Sequence, residues 1–307
     1  MKMNLKKMLV GLTFIIAMST LVACDTPNAS SKDETKPEKT EKAAASLKSD
    51  LQKLEKKYGA TLGVHGIDTA TNKTIGYNDQ ERFAYCSSFK AIAGGILLKN
   101  LTLEQLNKRI HFKKEDLIDH SPITEKHTED GMTLKEIINA AMTYSDNTAA
   151  NLMLHELGGP KAYQKELVKI GDTVTQSDRY EPELNSAVPG DKRDTTTPEA
   201  MAKNLAFLVK KGNMPTDNFN YFKQTLIDNT TGDKLIRAGV PEGYIVGDKT
   251  GSGSYGTRND IAVIYPKDKD TKPLVWVIYS KKDKEDAEYD DQLIADAAKV
   301  LSKYFAL

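Results

Sequence analysis

Ser87 is the only serine in the 307-residue chain with a lysine three positions later. Positions three apart share a helix face, which sets the Lys90 amine beside the Ser87 hydroxyl. Around them Phe89, Ala91, Ile92, Ala93, Ile96, Leu97 and Leu98 are apolar on nearly every side, the pattern of a buried helix. A buried lysine needs polar partners, and a serine hydroxyl is a weak nucleophile until something takes its proton. One active site would answer both needs, although an isolated Ser-x-x-Lys is as often a helix start with an outward-reaching lysine. Two more clusters tilt the balance. Ser145-Asp146-Asn147 falls between two helical runs, and Lys249-Thr250-Gly251 ends a predicted strand. Each alone is ordinary capping or turn chemistry; together, in this order and all at element ends, they mark a site for nucleophilic catalysis.

Ser-x-x-Lys with Ser-Asp-Asn and Lys-Thr-Gly is the signature of class A β-lactamases and penicillin-binding proteins. The chain from about 43 to 307 resembles a class A serine β-lactamase, in particular the lipoprotein type of Gram-positive bacteria. The resemblance implies an α/β (α+β) fold of two lobes, with a five-stranded antiparallel sheet flanked by helices and a separate all-α lobe. It implies that Ser87 attacks a lactam carbonyl and loses its proton to Lys90, or to Glu181 through a water. Ser145 would relay a proton to the departing nitrogen with Lys249 beside it, and the backbone N–H groups of Ser87 and Ser252 would form the oxyanion hole. Asn147 is expected to hold the substrate's acylamino group. Thr250, Ser252 and Arg258 are expected to hold its carboxylate, with Gly251 also lining the substrate.

The segment Arg179-Tyr180-Glu181-Pro182-Glu183-Leu184-Asn185 resembles the Ω-shaped loop that carries the deacylating base in that family. The resemblance implies a cis Glu181–Pro182 bond, a neck closed by an Arg179–Asp194 ion pair, and a hydrolytic water held by Glu181 and Asn185. Those two residues argue against a penicillin-binding D,D-peptidase, which shares the other three motifs. A receptor that is acylated without turnover is a further rival. One departure stands out: His120 precedes Ser121-Pro122 where relatives commonly place an aromatic wall.

The elements that must position these residues follow from periodicity. Leu47, Leu51 and Leu54 predict a helix over about 43–58, and alternation predicts strands at Thr61–Ile67 and Thr74–Tyr77. From about 87 to 211 the pattern is mainly helical, with a Thr133-x-x-Glu136 capping box before an apolar run. Strands return at Tyr244–Lys249, Arg258–Tyr265 and Leu274–Ser280, and a helix over about 287–304 closes the chain. Strands at both ends enclosing a helical middle predict an α/β lobe from about 43–84 and 229–307, a helical lobe over about 85–228, and a cleft between them.

Hydrophobic residues at 39% and charged residues at 28% exclude a wholly disordered, collagen-like or multi-span membrane chain. Residues 1–23 read as an export signal, with Lys2, Lys6 and Lys7 ahead of an apolar run, and Leu21-Val22-Ala23-Cys24 resembles a lipobox. Cys24 is then the lipidated first residue, and 24–42 a disordered tether poor in large apolar groups. The expected location is the outer face of the cell membrane, with release by cleavage of the tether an open alternative. With 43 basic and 43 acidic side chains, and a mildly acidic balance once the signal is gone, nothing favours a nucleic-acid partner. The five histidines show no metal-ligand spacing, so no metal or cofactor is expected, and Cys86 is read as a small buried residue rather than a nucleophile. The chain is expected to act as a monomer on small β-lactam substrates.

Overall fold

The computed structural model describes residues 35–267 and 272–307. The export signal, Cys24 and the first part of the tether therefore lie outside the described residues. Five strands, β1 (Thr61–Asp68), β2 (Thr74–Tyr77), β3 (Tyr244–Gly253), β4 (Thr257–Pro266) and β5 (Leu274–Lys281), form one antiparallel sheet in the order β2-β1-β5-β4-β3. The two ends of the chain meet where β1 pairs with β5, from Thr61 opposite Lys281 to Asp68 opposite Leu274. The principal helices are α1 (Thr35–Tyr58), α2 (Phe89–Asn100), α3 (Leu134–Thr143), α4 (Asn147–Glu156), α5 (Pro198–Leu208), α6 (Thr216–Ile227) and α7 (Asp291–Phe305). This is the mixed α/β fold the motifs imply.

Successive side chains of a strand point to opposite faces, and β5 shows what that does here. Leu274, Trp276 and Ile278 join Leu47, Leu51, Leu293 and Leu301 of α1 and α7 in one core. Val275, Val277 and Tyr279 join Phe89, Ile92 and Leu205 in a second core that continues into the helical lobe. Being covered on both faces, β5 and residues 261–265 of β4 read as continuous apolar runs rather than alternating ones. At the centre of the second core α2 is buried from Phe89 through Leu98. Its neighbours come very close at Gly94 and Gly95, where an added Cβ would fall 2.6 Å from Met142 Sδ and 2.6 Å from Leu208 Cδ1 respectively.

The local stop and start signals act as their chemistry predicts. Thr133 Oγ1 accepts from Glu136 N at 3.2 Å while Glu136 Oε2 accepts from Thr133 N at 2.7 Å, closing the capping box of α3. Asp146 caps α4 by accepting from Ala149 N at 2.8 Å. Three boundaries differ from expectation. Residues 35–42, assigned to the tether, already belong to α1. Low apolar content argues against a packed core but not against helix: Lys, Glu and Ala are strong helix formers, and Pro37 falls in the first turn, where its missing N–H costs nothing. The last helix starts at Asp291 rather than near 287, leaving residues 287–290 irregular. Finally, β3 continues through the Lys-Thr-Gly motif to Gly253 instead of ending at Lys249.

Candidate active site

Ser87 lies in the single turn Cys86–Ser88 that opens into α2. Cys86 holds φ at 46°, a left-handed value rare for a side-chain-bearing residue, and its thiol is fully buried beneath the turn. One turn on, Lys90 is fully buried and its Nζ has three close acceptors: Asn147 Oδ1 at 2.6 Å, Ser145 O at 2.9 Å and Glu181 Oε1 at 2.9 Å. Burial pulls the Lys90 pKa below the ordinary lysine range, and the Glu181 carboxylate works in the opposite direction. Ser87 Oγ donates directly to Glu181 Oε1 at 3.2 Å. The resemblance implied proton transfer either to Lys90 or to Glu181 through a water; the carboxylate lies within direct reach of the hydroxyl.

Glu181 is carried by an irregular loop and its bond to Pro182 is cis. Asn151 of α4 grips the Glu181 peptide from both sides: its Nδ2 donates to Glu181 O at 3.0 Å and its Oδ1 accepts from Glu181 N at 2.9 Å. Asn185 Nδ2 donates to Glu181 Oε2 at 2.5 Å, while Asn185 Oδ1 is buried with no hydrogen-bond partner. At the neck of the loop Arg179 Nε donates to Asp194 Oδ2 at 2.5 Å, and Asp194 Oδ1 accepts from Asp178 N, Arg179 N and Tyr85 Oη at 2.8, 3.0 and 3.1 Å. Ser254 N, just past β3, donates to Asn185 O at 3.1 Å, fastening the loop to the sheet edge.

The edge strand β3 forms the opposite wall. Lys249 is fully buried, with Nζ 3.1 Å from Ser145 Oγ and 2.9 Å from Thr250 O. Burial, and then repulsion from Lys90, bring its pKa down to about 7. Gly251 explains why the strand can continue past the motif: a Cβ there would lie 3.0 Å from Tyr85 O and 3.2 Å from Ser87 N. The glycine is a close-approach residue within a strand, not a turn signal. Ser252, next along, is thereby carried past the Ser87 amide, where two backbone N–H groups can face one oxyanion.

Thr250 Oγ1 contacts Thr231 Oγ1 at 2.6 Å, and Ser252 pairs across the sheet with Arg258. Arg258 Nε is engaged by Asp291 Oδ1 at 2.7 Å, a partner the sequence did not suggest. Asn147 opens α4, with its Nδ2 donating to Asp119 O and its N to His120 O, both at 2.9 Å. His120 sits at the rim with Nε2 3.1 Å from Tyr144 O. The eleven catalytic and substrate-contacting residues named from sequence thus come from four chain segments that converge around Ser87. Asn151 was missed, although it lies four residues after Asn147 and so on the same helix face. Among the described residues no group of three or more His, Cys, Asp or Glu side chains could hold a metal ion.

A serine nucleophile, a buried ammonium–carboxylate pair and two backbone donors, one on the nucleophile's own turn and one on the sheet edge, define a serine acyl-transfer hydrolase. The chain matches the model of the Beta-lactamase enzyme family over residues 46–305. Beta-lactamase 3 of Bacillus cereus is 48% identical over 289 residues, covering 94% of this chain and 91% of that one. The beta-lactamase of Bacillus licheniformis is 46% identical over 301 residues, covering 98% and 95% respectively. The solved class A beta-lactamase of Clostridium kluyveri DSM 555 superposes with a TM-score of 0.83 at 45% identity, over 86% of this chain and 100% of that one. The chain belongs to this family as a class A serine β-lactamase, a β-lactam hydrolase of the kind that confers antibiotic resistance.

Proposed function

We propose that the ring is opened through an ester on Ser87, which is released by a water that Glu181 activates. Ser87 Oγ bonds to the lactam carbonyl carbon as its proton passes to Glu181, its direct acceptor. Lys90 cannot take that proton while all three of its own are placed on Asn147, Ser145 and Glu181. The negative charge that develops on the carbonyl oxygen falls between the N–H groups of Ser87 and Ser252. The carbon–nitrogen bond breaks as Ser145, backed by the Lys249 ammonium, delivers its proton to the nitrogen; Lys90, in contact with both groups, replaces that proton on Ser145 and takes up the one held by Glu181. A water then adds to the ester carbon and gives a proton to the now ionised Glu181, and the ester bond breaks as Glu181 returns that proton to Ser87 Oγ, leaving the opened acid as product.

The observation that carries this reading is the placement of Glu181: its Oε1 accepts from Ser87 Oγ at 3.2 Å while its Oε2 is held by Asn185 Nδ2. A carboxylate within reach of the nucleophile is placed to take a proton from a water that attacks the ester formed on that same oxygen. The test is a chromogenic cephalosporin assay on the protein and on Glu181→Gln. Sustained turnover is expected from the first, and from the second a covalent adduct on Ser87 visible by intact mass. Rapid turnover by Glu181→Gln would remove Glu181 from the deacylation step, and a single stoichiometric burst from the unaltered protein would indicate a penicillin-binding protein or receptor.

We further propose that the enzyme acts outside the cell as a single copy held on the membrane by lipid on Cys24. The apolar run before Leu21-Val22-Ala23-Cys24 and the basic start support export and lipidation, and two or more acyl chains would anchor far better than one. Cys24→Ala should move activity from the membrane fraction into the medium. Activity that stays with the membrane in that variant would refute the anchor.

A further inference from the structure

Arg258 is held on two sides by a segment remote from every motif. Its Nε donates to Asp291 Oδ1 at 2.7 Å, and its guanidinium carbon lies 4.6 Å from the ring centroid of Tyr289. Both partners belong to the stretch that follows β5, which is fastened to the β3–β4 turn. There Tyr255 N donates to Glu285 O at 2.9 Å, Lys282 N donates to Tyr255 O at 2.7 Å, and Lys282 Nζ pairs with Asp290 at 2.8 Å. An arginine that answers a carboxylate fully does so with two parallel N–H groups. Here Asp291 takes only Nε, and among the described residues the two Nη groups donate to no protein acceptor. Asp291 therefore compensates the charge without setting the plane of the fork. The Tyr289 ring lies against the guanidinium and restrains it without consuming a donor. Tyr289 is itself 47% exposed, a large ring left at the surface beside a guanidinium that is 90% covered.

We infer that Tyr289 is a positioning residue for Arg258, holding its free Nη groups where the carboxylate of a β-lactam arrives. The inference rests on the lactam-binding reading above and deepens it. With one face taken by Tyr289 and one edge by Asp291, the only donors Arg258 offers are the Nη pair, pre-arranged for a planar carboxylate. The tyrosine hydroxyl has no part in this, so phenylalanine should serve equally.

The experiment compares benzylpenicillin with its methyl ester on the unaltered protein, Tyr289→Ala and Tyr289→Phe. For the free acid Tyr289→Ala should raise KM by roughly 3- to 10-fold with kcat nearly unchanged, and Tyr289→Phe should restore it. For the ester all three proteins should behave alike. An unchanged KM for the acid in Tyr289→Ala, or an equal rise for acid and ester, overturns the inference. Calorimetric titration of both ligands into Ser87→Ala, with and without Tyr289→Ala, reads the same preference without turnover. An unaltered protein that hydrolyses neither compound would thus refute the hydrolase reading while the Tyr289 role is still decided.

Discussion

Replacing Asp260 by asparagine should stabilise the protein at neutral pH, and by more as the pH rises. Asp260 lies on β4, fully buried; its Oδ2 accepts from Ile236 N at 3.0 Å and its Oδ1 has no partner. Asp248 on β3 is also fully buried and occupies the same sheet face, since Asp260 pairs opposite Thr250 and residues two apart share a face. Among the described residues only Asp248 of the two has a cation in direct contact. Arg237 Nε bonds Asp248 at 2.5 Å, as does Asn229 Nδ2, which marks Asp248 as the ionised member. Burial, and then the Asp248 charge, push the Asp260 pKa well above its ordinary 3.8. The native state thus keeps a proton that the unfolded chain has already released. Where the native state binds more protons, stability falls with rising pH, here from about 4 up to the native pKa and by at most about 1.4 kcal/mol per pH unit. The loss accumulates from about pH 4 upward for as long as the native state keeps the Asp260 proton. Asparagine cannot ionise, so the difference between the two proteins reports this carboxyl together with its electrostatic partner Asp248. Urea unfolding of both across that range is the assay. A difference that does not grow with pH, or a variant that is less stable throughout, would refute the argument that Asp260 is a neutral acid.

Four further outcomes are expected. Lys249, at about 7, loses its charge within the working range, so kcat/KM for carboxylate substrates should fall on an alkaline limb near that value. Lys249→Arg should move the limb upward in a pH–rate profile, and an unmoved limb would assign it elsewhere. Arg179→Ala leaves the fully buried Asp194 without its counter-charge and should cost about 2–4 kcal/mol in urea unfolding. Single-turnover kinetics on the same variant should show deacylation slowed more than acylation, because the loosened loop carries Glu181. Asn151→Ala removes both bonds to the Glu181 peptide; kcat should drop at least tenfold while the initial acylation burst persists. Thr133→Ala, which opens the capping box of α3, should cost about 1 kcal/mol in thermal melts and leave kcat unchanged.

Ser87 and Lys90 were legible because a helix fixes the relation of positions three apart, and Thr133 and Asp146 because a cap is decided within four residues. The strands of the sheet were legible from alternation and apolar runs. What escaped has long-range causes. Gly251 reads locally as a turn, yet its lack of a side chain is required by the Ser87 turn, more than 160 residues earlier in the chain. Asn151 reads as an ordinary helix-surface amide until the Glu181 loop folds against it, and Tyr289 and Asp291 acquire meaning only when β5 returns the chain beside β4. The charges show the same division. Lys90, Lys249 and Glu181 come from three segments with no local hint that they share one dry volume, and sequence gave no reason to expect Lys249 at about 7. That value needs a second ammonium nearby and water excluded from both. The site's residue types can therefore be read along the chain, but its protonation states are properties of the assembled cleft, where one carboxylate oxygen meets both the Lys90 amine and the Ser87 hydroxyl.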